Sequence, residues 1–240
     1  MRYGRNTGEE LKRYMGRNMA FYDELMGETR IEREALLALP IIRAGASGNI
    51  TVQTYIAFLT EAYHHVKHTL PLLMACGAKL PERLEWLRVG MAEYVGEEVG
   101  HHEWILNDIS ACGGNAQAVR CGSSSLETEF MVAYAYDTIA RRNPVGFLGM
   151  VLVLEGTSVQ IASTAAGAIK ASLKLPDAAF SYLTSHGALD VEHTAFYESL
   201  VNRLDDPDDR AAVIHCAKAF YRLYADIFRY LQGRQDGIEG

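Results

Sequence analysis

The 240-residue sequence lacks a hydrophobic run long enough to cross a membrane. Its longest apolar stretch, Val145 to Leu154, has ten residues, whereas a membrane-spanning helix needs about 20. We therefore predict that this stretch forms a buried core helix and that the protein has no membrane partner. The first ten residues also lack the apolar segment of a secretory signal, which favours a cytoplasmic location.

Basic residues and cysteines are also scarce. The 23 lysines and arginines are outnumbered by 30 aspartates and glutamates, and the net charge is −7. Because no basic stripe is present, the chain gives no electrostatic support for a nucleic-acid partner. The four cysteines, Cys76, Cys112, Cys121 and Cys216, show no CxxC spacing. We interpret them as small buried or loop residues of a protein in a reducing compartment.

Helical patterns dominate the chain and predict a single all-α domain over residues 1–240. With 49% hydrophobic residues, such a domain can bury a large core. No segment has the period of a β-strand followed by a glycine-rich phosphate loop, which argues against Rossmann and P-loop proteins. Turn and capping signals predict eight helices and a polar tail at 233–240. The helices are 7–26, 31–43, 51–77, 81–113, 123–142, one that begins at 143–144, 176–204 and 206–232.

The predicted seventh helix carries the most informative pattern. His186, Asp190 and His193 are spaced i, i+4 and i+7. At about 100° per residue they form one narrow stripe along a helix. An imidazole–carboxylate–imidazole stripe offers three of the ligands that a non-haem iron or manganese ion prefers. The stripe therefore predicts a metal centre inside a helical bundle.

The predicted fourth helix carries a second group of ligand-type residues. Glu98 and His101 have Glu-x-x-His spacing, while Glu97 with His101, and Glu98 with His102, have Glu-x-x-x-His spacing. Either spacing places a carboxylate and an imidazole on one helix face. Paired Glu-x-x-His motifs on facing helices hold two metal ions in helical bundles. The alternative interpretation of this segment is a solvated polar face.

Two further carboxylates lie in helical segments with few charges. Glu155 follows the apolar stretch of the predicted sixth helix, where a buried carboxylate is costly unless it is paired, protonated or bound to metal. On the predicted third helix, Glu61, His65 and His68 repeat the i, i+4, i+7 stripe. We interpret Glu61 as a ligand, and His65 and His68 as groups that orient the ligands.

The predicted ligand set favours two metal ions. A single zinc site needs three or four ligands, whereas this set has four carboxylates and three imidazoles. The four carboxylates would offset the four positive charges of two ferrous ions. Glu97 and His102 join His65 and His68 as supporting groups. The ligand set comprises Glu61, Glu98, His101, Glu155, His186, Asp190 and His193.

The order Glu … Glu-x-x-His … Glu … His-x-x-x-Asp-x-x-His resembles the heme-oxygenase-like diiron oxidases, relatives of the TenA thiaminases and of pyrroloquinoline-quinone synthase. The gaps of 54 residues between His101 and Glu155, and of 31 between Glu155 and His186, are similar to those of that family. So are the stretches 58–68 and 97–101, and the resemblance covers roughly residues 40–230. It implies a seven- or eight-helix bundle with two irons, Fe(II) or Fe(III), between the central helices. It also implies a weakly held second iron and a homodimer.

The sequence departs from the family pattern at one ligand. Some members place the carboxylate of the fourth helix further before its histidine, at a position where this chain has Tyr94. The resemblance favours Glu98 with His101, while Glu97 and His102 stay open as alternatives. Carboxylate and imidazole ligands suit manganese as well as iron.

The resemblance implies an O2-dependent oxidase of a small organic molecule, with an electron donor as a further candidate partner. Polar and small residues in the sixth helix slightly favour an amino acid over a fatty acid as the substrate, and the reaction would be an oxidative cleavage or rearrangement. These residues are Gly146, Gly149, Gly156, Thr157, Ser158 and Gln160. The alternatives are a cofactor-free enzyme like the thiaminases or the quinone synthase, and a non-catalytic TenA-like binding protein. Since residues 130–173 contain no cysteine, a thiaminase-type nucleophile is disfavoured.

Overall fold

The computed structural model describes residues 20–235 and 237, except for the side chains of residues 158–160 and 186–192. All regular elements in this part of the chain are helical, as predicted. Short 3₁₀ turns at Glu82–Leu84, Pro144–Phe147 and Asp177–Ala179 precede three of the helices. The α-helices are α1 (Phe21–Glu28), α2 (Arg30–Leu37), α3 (Pro40–Ala46), α4 (Val52–Val66), α5 (Thr69–Lys79), α6 (Glu85–Glu97), α7 (His101–Ala111), α8 (Ala116–Cys121), α9 (Leu126–Arg141), α10 (Leu148–Leu173), α11 (Ser181–Val201) and α12 (Pro207–Gln235).

Several predicted helices differ from the observed ones. Most of the first predicted helix, 7–26, lies outside the described residues. The predicted helix 31–43 is wrong as a continuous element, because the chain leaves helical geometry at Leu39, with ψ 135°. A residue that precedes proline disfavours the helical region, and α3 begins at Pro40. The predicted helix 51–77 is likewise divided between α4 and α5, and α12 extends three residues beyond the predicted end at 232.

The predicted helix 81–113 is also interrupted, at the point where its ligand-type residues lie. Helix α6 ends at Glu97, and α7 begins at His101. Between them Gly100 has φ +88°, a left-handed conformation that glycine adopts without steric strain. The prediction that Glu98 and His101 share one continuous helix is therefore wrong.

Helix α10 lies at the centre of the bundle against α3, α11 and α12. A Cβ atom on Gly149 would lie 2.4 Å from the Ala217 nitrogen of α12, so only glycine permits this close approach. The hydroxyl of Tyr197 on α11 donates to the Leu148 carbonyl oxygen at 3.0 Å. The close packing at Gly149 therefore fixes α12 against α10, and the buried hydrogen bond of Tyr197 fixes α11.

The entry to α10 follows the predicted capping signal. The Asn143 side chain accepts a hydrogen bond from the Val145 nitrogen at 3.0 Å, and Pro144 occupies the first position of the turn. Within the described residues, no single helix is long and apolar enough to cross a membrane. The segments Pro144–Thr157 and Ile161–Leu173, bent by 42° relative to each other, reach that length and apolarity only as a pair.

Helix α11 is held at its N-terminus by Asp108 of α7. The carboxylate accepts hydrogen bonds from the backbone nitrogens of Ser181, at 3.0 Å, and Tyr182, at 2.8 Å. Asp108 is fully buried, and burial raises its pKa although these hydrogen bonds oppose the change. Capping by a carboxylate also complements the positive end of the helix dipole. The contact therefore fixes the start of the helix that carries His193.

Candidate metal centre

His193 lies between two carboxylates. Its Nε2 atom is 3.0 Å from Glu97 Oε2, and its Nδ1 atom is 3.8 Å from Glu155 Oε1. The His193 side chain is buried, whereas Glu97 is half exposed. Helices α6, α10 and α11 thus bring together three of the residues that sequence analysis selected.

Tyr94 joins this group from α6. Its hydroxyl donates a hydrogen bond to Glu155 Oε2, with 3.4 Å between the oxygens, and its ring packs edge-on against His193. Burial raises the pKa of Tyr94, and the charge of Glu155 raises it further. The phenol therefore remains protonated and donates to the carboxylate. Sequence analysis noted Tyr94 only as a departure from a family pattern and missed this contact.

Glu98 and His101 form a second carboxylate–imidazole pair at the α6–α7 break. Glu98 Oε2 lies 3.1 Å from His101 Nδ1, and both side chains are buried. The His101 ring stacks on Trp104, with 4.1 Å between ring centroids. The neighbouring His102 is 37% exposed and contacts Glu103. Of the two adjacent histidines, His101 is thus the one that faces the interior.

Glu61 contacts residues at the start of α9. Its carboxylate accepts hydrogen bonds from the Ser125 nitrogen at 3.2 Å, from Ser125 Oγ at 2.9 Å and from Thr128 Oγ1 at 2.5 Å. These donors surround a buried carboxylate, and they account for its burial without a metal ion. The structure therefore shows that Glu61 holds Ser125, the residue that caps α9, a role that the sequence did not indicate.

The two histidines predicted to support the ligands lie in different surroundings. His65 packs edge-on against Tyr224, with 5.9 Å between ring centroids. His68 Nδ1 lies 3.1 Å from the Tyr136 hydroxyl, and burial, followed by the Lys67 charge, lowers its pKa. His186 and Asp190 lie on α11, two turns and one turn before His193, but their side chains are outside the described residues.

One cavity is lined by the carboxylates of both pairs, Glu98 and Glu155. It has a volume of about 160 Å³, and its polar lining includes His65, Tyr94, Glu98, Glu155 and Thr157. Most other lining residues are apolar, among them Phe58, Leu72, Phe147, Met150, Val151 and Phe228. The cavity thus has a small set of polar and ionisable groups within a wide apolar wall. Such a composition is typical of small-molecule sites.

The donor groups around the cavity fit iron in kind. Among the side chains that the structure describes, no three His, Cys, Asp or Glu residues stand together in an arrangement that could hold a metal ion. The described carboxylates lie beside two separate imidazoles. Glu98 contacts His101, whereas Glu97 and Glu155 flank His193. Carboxylates and imidazoles are ligands that non-haem iron prefers and that manganese also accepts, so the described donors are compatible with iron.

A family model described as "iron-containing redox enzyme" matches residues 56–225. No curated protein matches the sequence. Among solved structures, a domain of unknown function with a heme-oxygenase-like fold from Shewanella denitrificans OS217 is 24% identical, with a TM-score of 0.77, over 90% of this chain and 95% of that one.

Two other structures have the same fold. A TenA homologue from Pseudomonas syringae pv. tomato DC3000 is 11% identical, with a TM-score of 0.75, over 89% of this chain and 93% of that one. Heme oxygenase-1 from the cyanobacterium Synechocystis sp. PCC 6803, in complex with heme, is 11% identical, with a TM-score of 0.72, over 92% of this chain and 96% of that one. These likenesses confirm the predicted all-α, heme-oxygenase-like fold.

Proposed function

Because the chain belongs to the family of iron-containing redox enzymes, we propose that it is an O2-dependent oxidase with two non-haem irons and a small organic substrate. One observation carries the proposal. The carboxylates of Glu98 and Glu155 line one mostly apolar cavity. Each lies beside a buried imidazole, that of His101 or that of His193. A substrate in that cavity would lie beside the residues best suited to hold iron.

Six residues would hold the metals: Glu98, His101, Glu155, His186, Asp190 and His193. Bound ferrous iron would supply the electrons that activate O2. Glu97, in contact with His193, would orient that imidazole from the outer side. Glu61 would join the set only by giving up its hydrogen bonds to Ser125 and Thr128.

The chain's own groups prepare the site for this chemistry. Tyr94 holds one oxygen of Glu155 by a hydrogen bond, which restricts the rotation of that carboxylate. Trp104 stacks on His101 and restricts its ring. A substrate bound against the largely apolar wall would displace water from the site, which would strengthen the interactions of any charge there.

The cavity favours a substrate with a large apolar body and one polar end. Two of the sixth-helix residues that favour an amino-acid substrate in the sequence, Gly146 and Gly149, have another role in the structure. A Cβ on either would lie within 3 Å of α12, so both serve helix packing. Of the remaining polar groups, Thr157 lines the cavity, and the side chains of Ser158 and Gln160 are outside the described residues. A fatty acid or an amino acid with a long apolar side chain would match this lining.

An anaerobic Fe(II) titration of the metal-free protein tests the proposal. We expect close to two irons per chain for the wild type and reduced binding for Glu155→Gln. The matched control Glu93→Gln changes an exposed glutamate and should bind iron as the wild type does. A haem titration run in parallel should give no specific Soret band. Absence of iron binding by the wild type, or an intense Soret band with stoichiometric haem, would reject the non-haem diiron proposal.

A further inference from the structure

The cavity beside the candidate metal centre continues to the turn between α3 and α4. Its lining includes Gly45 and Ala46, at the end of α3, and Ile50, in the turn. These three residues are half-buried, and Ser47 and Asn49 between them are exposed. This end of the cavity therefore lies at the surface of the described part of the chain.

The turn is held against α10. A Cβ atom on Gly48 would clash with the Ala168 carbonyl oxygen, so a side chain at this position would separate the turn from α10. After the turn, Thr51 caps α4 and accepts a hydrogen bond from the Thr54 nitrogen at 3.0 Å. The turn and α10 thus form a fixed rim at this end of the cavity.

The carboxylates lie deeper in the same cavity. The side chains of Glu98 and Glu155 are only 8% and 14% exposed. On α10, Glu155 and the half-buried Ala165 both line the cavity, and Ala165 precedes Ala168 by about one helical turn. Ten residues of α-helix span about 15 Å. A molecule that passes the rim would therefore travel roughly this distance to reach Glu155.

Gly45 has no structural reason to be a glycine. It lies inside α3, where glycine is less favourable than alanine by about 1 kcal/mol. No described atom beyond the adjacent residues and the helix's own backbone lies within 4 Å of an added Cβ. Packing therefore does not exclude a side chain here, in contrast to Gly48 and Gly149. What the missing side chain provides is open space at the rim of the cavity.

We propose that ligands enter the cavity between α3 and α10, and that Gly45 keeps this entrance wide enough for them to pass. The proposal rests on the proposed function only in treating this cavity as the substrate site. Because the lining is mostly apolar, the molecules that enter are apolar or have an apolar chain. A large side chain at position 45 would narrow the entrance without filling the space beside the carboxylates, so it should change binding rates more than affinity.

Stopped-flow fluorescence with the linear fatty acid cis-parinaric acid tests the entrance in metal-free protein. We expect saturable binding by the wild type. Gly45→Trp should slow association and dissociation about tenfold each while the affinity changes less than about threefold, as for a barrier on the path to an unchanged site. Gly45→Ala and Gly45→Leu should slow binding in order of side-chain size. The control Gly167→Trp, at an exposed glycine on the outer face of α10, should bind at the wild-type rate.

A variant inside the cavity shows where the probe binds. Leu154 lines the cavity next to Glu155, and Leu154→Trp should weaken the equilibrium affinity about tenfold by filling that space. Wild-type affinity in Leu154→Trp would place the probe elsewhere and would overturn the proposal.

Three other results would also overturn it: no binding by the wild type, a wild-type association rate in Gly45→Trp, or equal slowing in Gly167→Trp. Thermal unfolding of the Gly45 variants should match or exceed that of the wild type, because no contact is lost. Since no iron is present in these measurements, the entrance and the diiron proposal can fail independently of each other.

Discussion

The hydroxyl of Tyr94 on α6 lies 3.4 Å from Glu155 Oε2 on α10, so a phenol donates to the carboxylate that interrupts the apolar core helix. The same ring packs against His193 on α11. Three helices are therefore joined at one point in the wall of the cavity. This contact gives Glu155 a partner in the interior, and it orients the carboxylate relative to the imidazole that faces it.

Removal of the Tyr94 hydroxyl should weaken both the fold and iron binding. In Tyr94→Phe, we expect the free energy of unfolding to fall by about 1 kcal/mol, since one buried hydrogen bond is lost. Iron affinity should fall about tenfold, as is common when a group that orients a metal ligand is removed. Urea unfolding and Fe(II) titration measure the two effects. Tyr230→Phe, at a partly exposed tyrosine, is the control, and equal iron affinity in both variants would contradict the orienting role.

Replacement of Glu61 tests whether its carboxylate supports the N-terminus of α9 or binds a metal ion. In metal-free protein, Glu61→Gln should lower the free energy of unfolding by about 2 kcal/mol, because hydrogen bonds from Ser125 and Thr128 to a charged acceptor are weakened. If Glu61 were only a ligand, removal of its charge would leave the metal-free protein equally stable or more stable. Glu34→Gln, in an exposed ion pair with Arg30, should change the stability by less than about 1 kcal/mol. Urea unfolding of both variants without metal measures the difference.

Two glycines of α10 should respond to alanine in opposite directions. Gly149→Ala places a Cβ 2.4 Å from the Ala217 nitrogen, and it should destabilise the protein by about 2 kcal/mol or more because the helices must separate. At Gly167, no described atom beyond the adjacent residues and the helix's own backbone lies within 4 Å of an added Cβ. Gly167→Ala should therefore stabilise α10 by up to about 1 kcal/mol. Thermal unfolding of both variants measures the difference, and a stabilised Gly149→Ala would contradict the close packing of α10 and α12.

The pKa of His64 predicts an acid-dependent loss of stability. Its folded value of about 4 lies below its ordinary value of 6.5, so the unfolded chain binds this proton more readily. The contribution is present above pH 6.5 and is lost as the pH falls towards 4, with a slope of at most about 1.4 kcal/mol per pH unit. Urea unfolding at pH 4.5 and pH 7 should show a smaller pH dependence for His64→Gln than for the wild type. Identical pH dependence would contradict a neutral, buried His64.

The sequence predicted those parts of the site that depend on local pattern. Glu155 was identifiable because a carboxylate inside an apolar helix needs a partner, and the structure provides Tyr94 and His193. Spacing left three glutamate–histidine combinations open in this segment, and the resemblance favoured Glu98 with His101. The structure brings these two side chains into contact, at a break beside Gly100 rather than within a helical turn. Gly100 was the sequence signal for this break, because glycine often ends a helix. The prediction of a continuous helix over 81–113 overlooked it.

Contacts between distant segments could not be predicted in this way. Glu61 and Ser125 are 64 residues apart, and no periodicity within α4 indicates that its carboxylate serves the N-terminus of α9. Tyr94 lies four residues before Glu98, a spacing that would place both on one side of a helix, but its hydroxyl partner depends on how α6 packs against α10. Tertiary packing, rather than local propensity, decides these roles.

The reaction of the Fe(II)-loaded protein with O2 tests the central claim most directly. After anaerobic loading, the protein is mixed with O2-containing buffer while O2 consumption and visible absorbance are recorded. We predict that the wild type consumes O2 in proportion to bound iron, as does His215→Ala, which alters an exposed histidine. His193→Ala and Glu155→Gln should consume no more than the same iron free in buffer. No O2 uptake by iron-loaded wild type, or wild-type uptake by both site variants, would contradict the assignment of redox chemistry to this site.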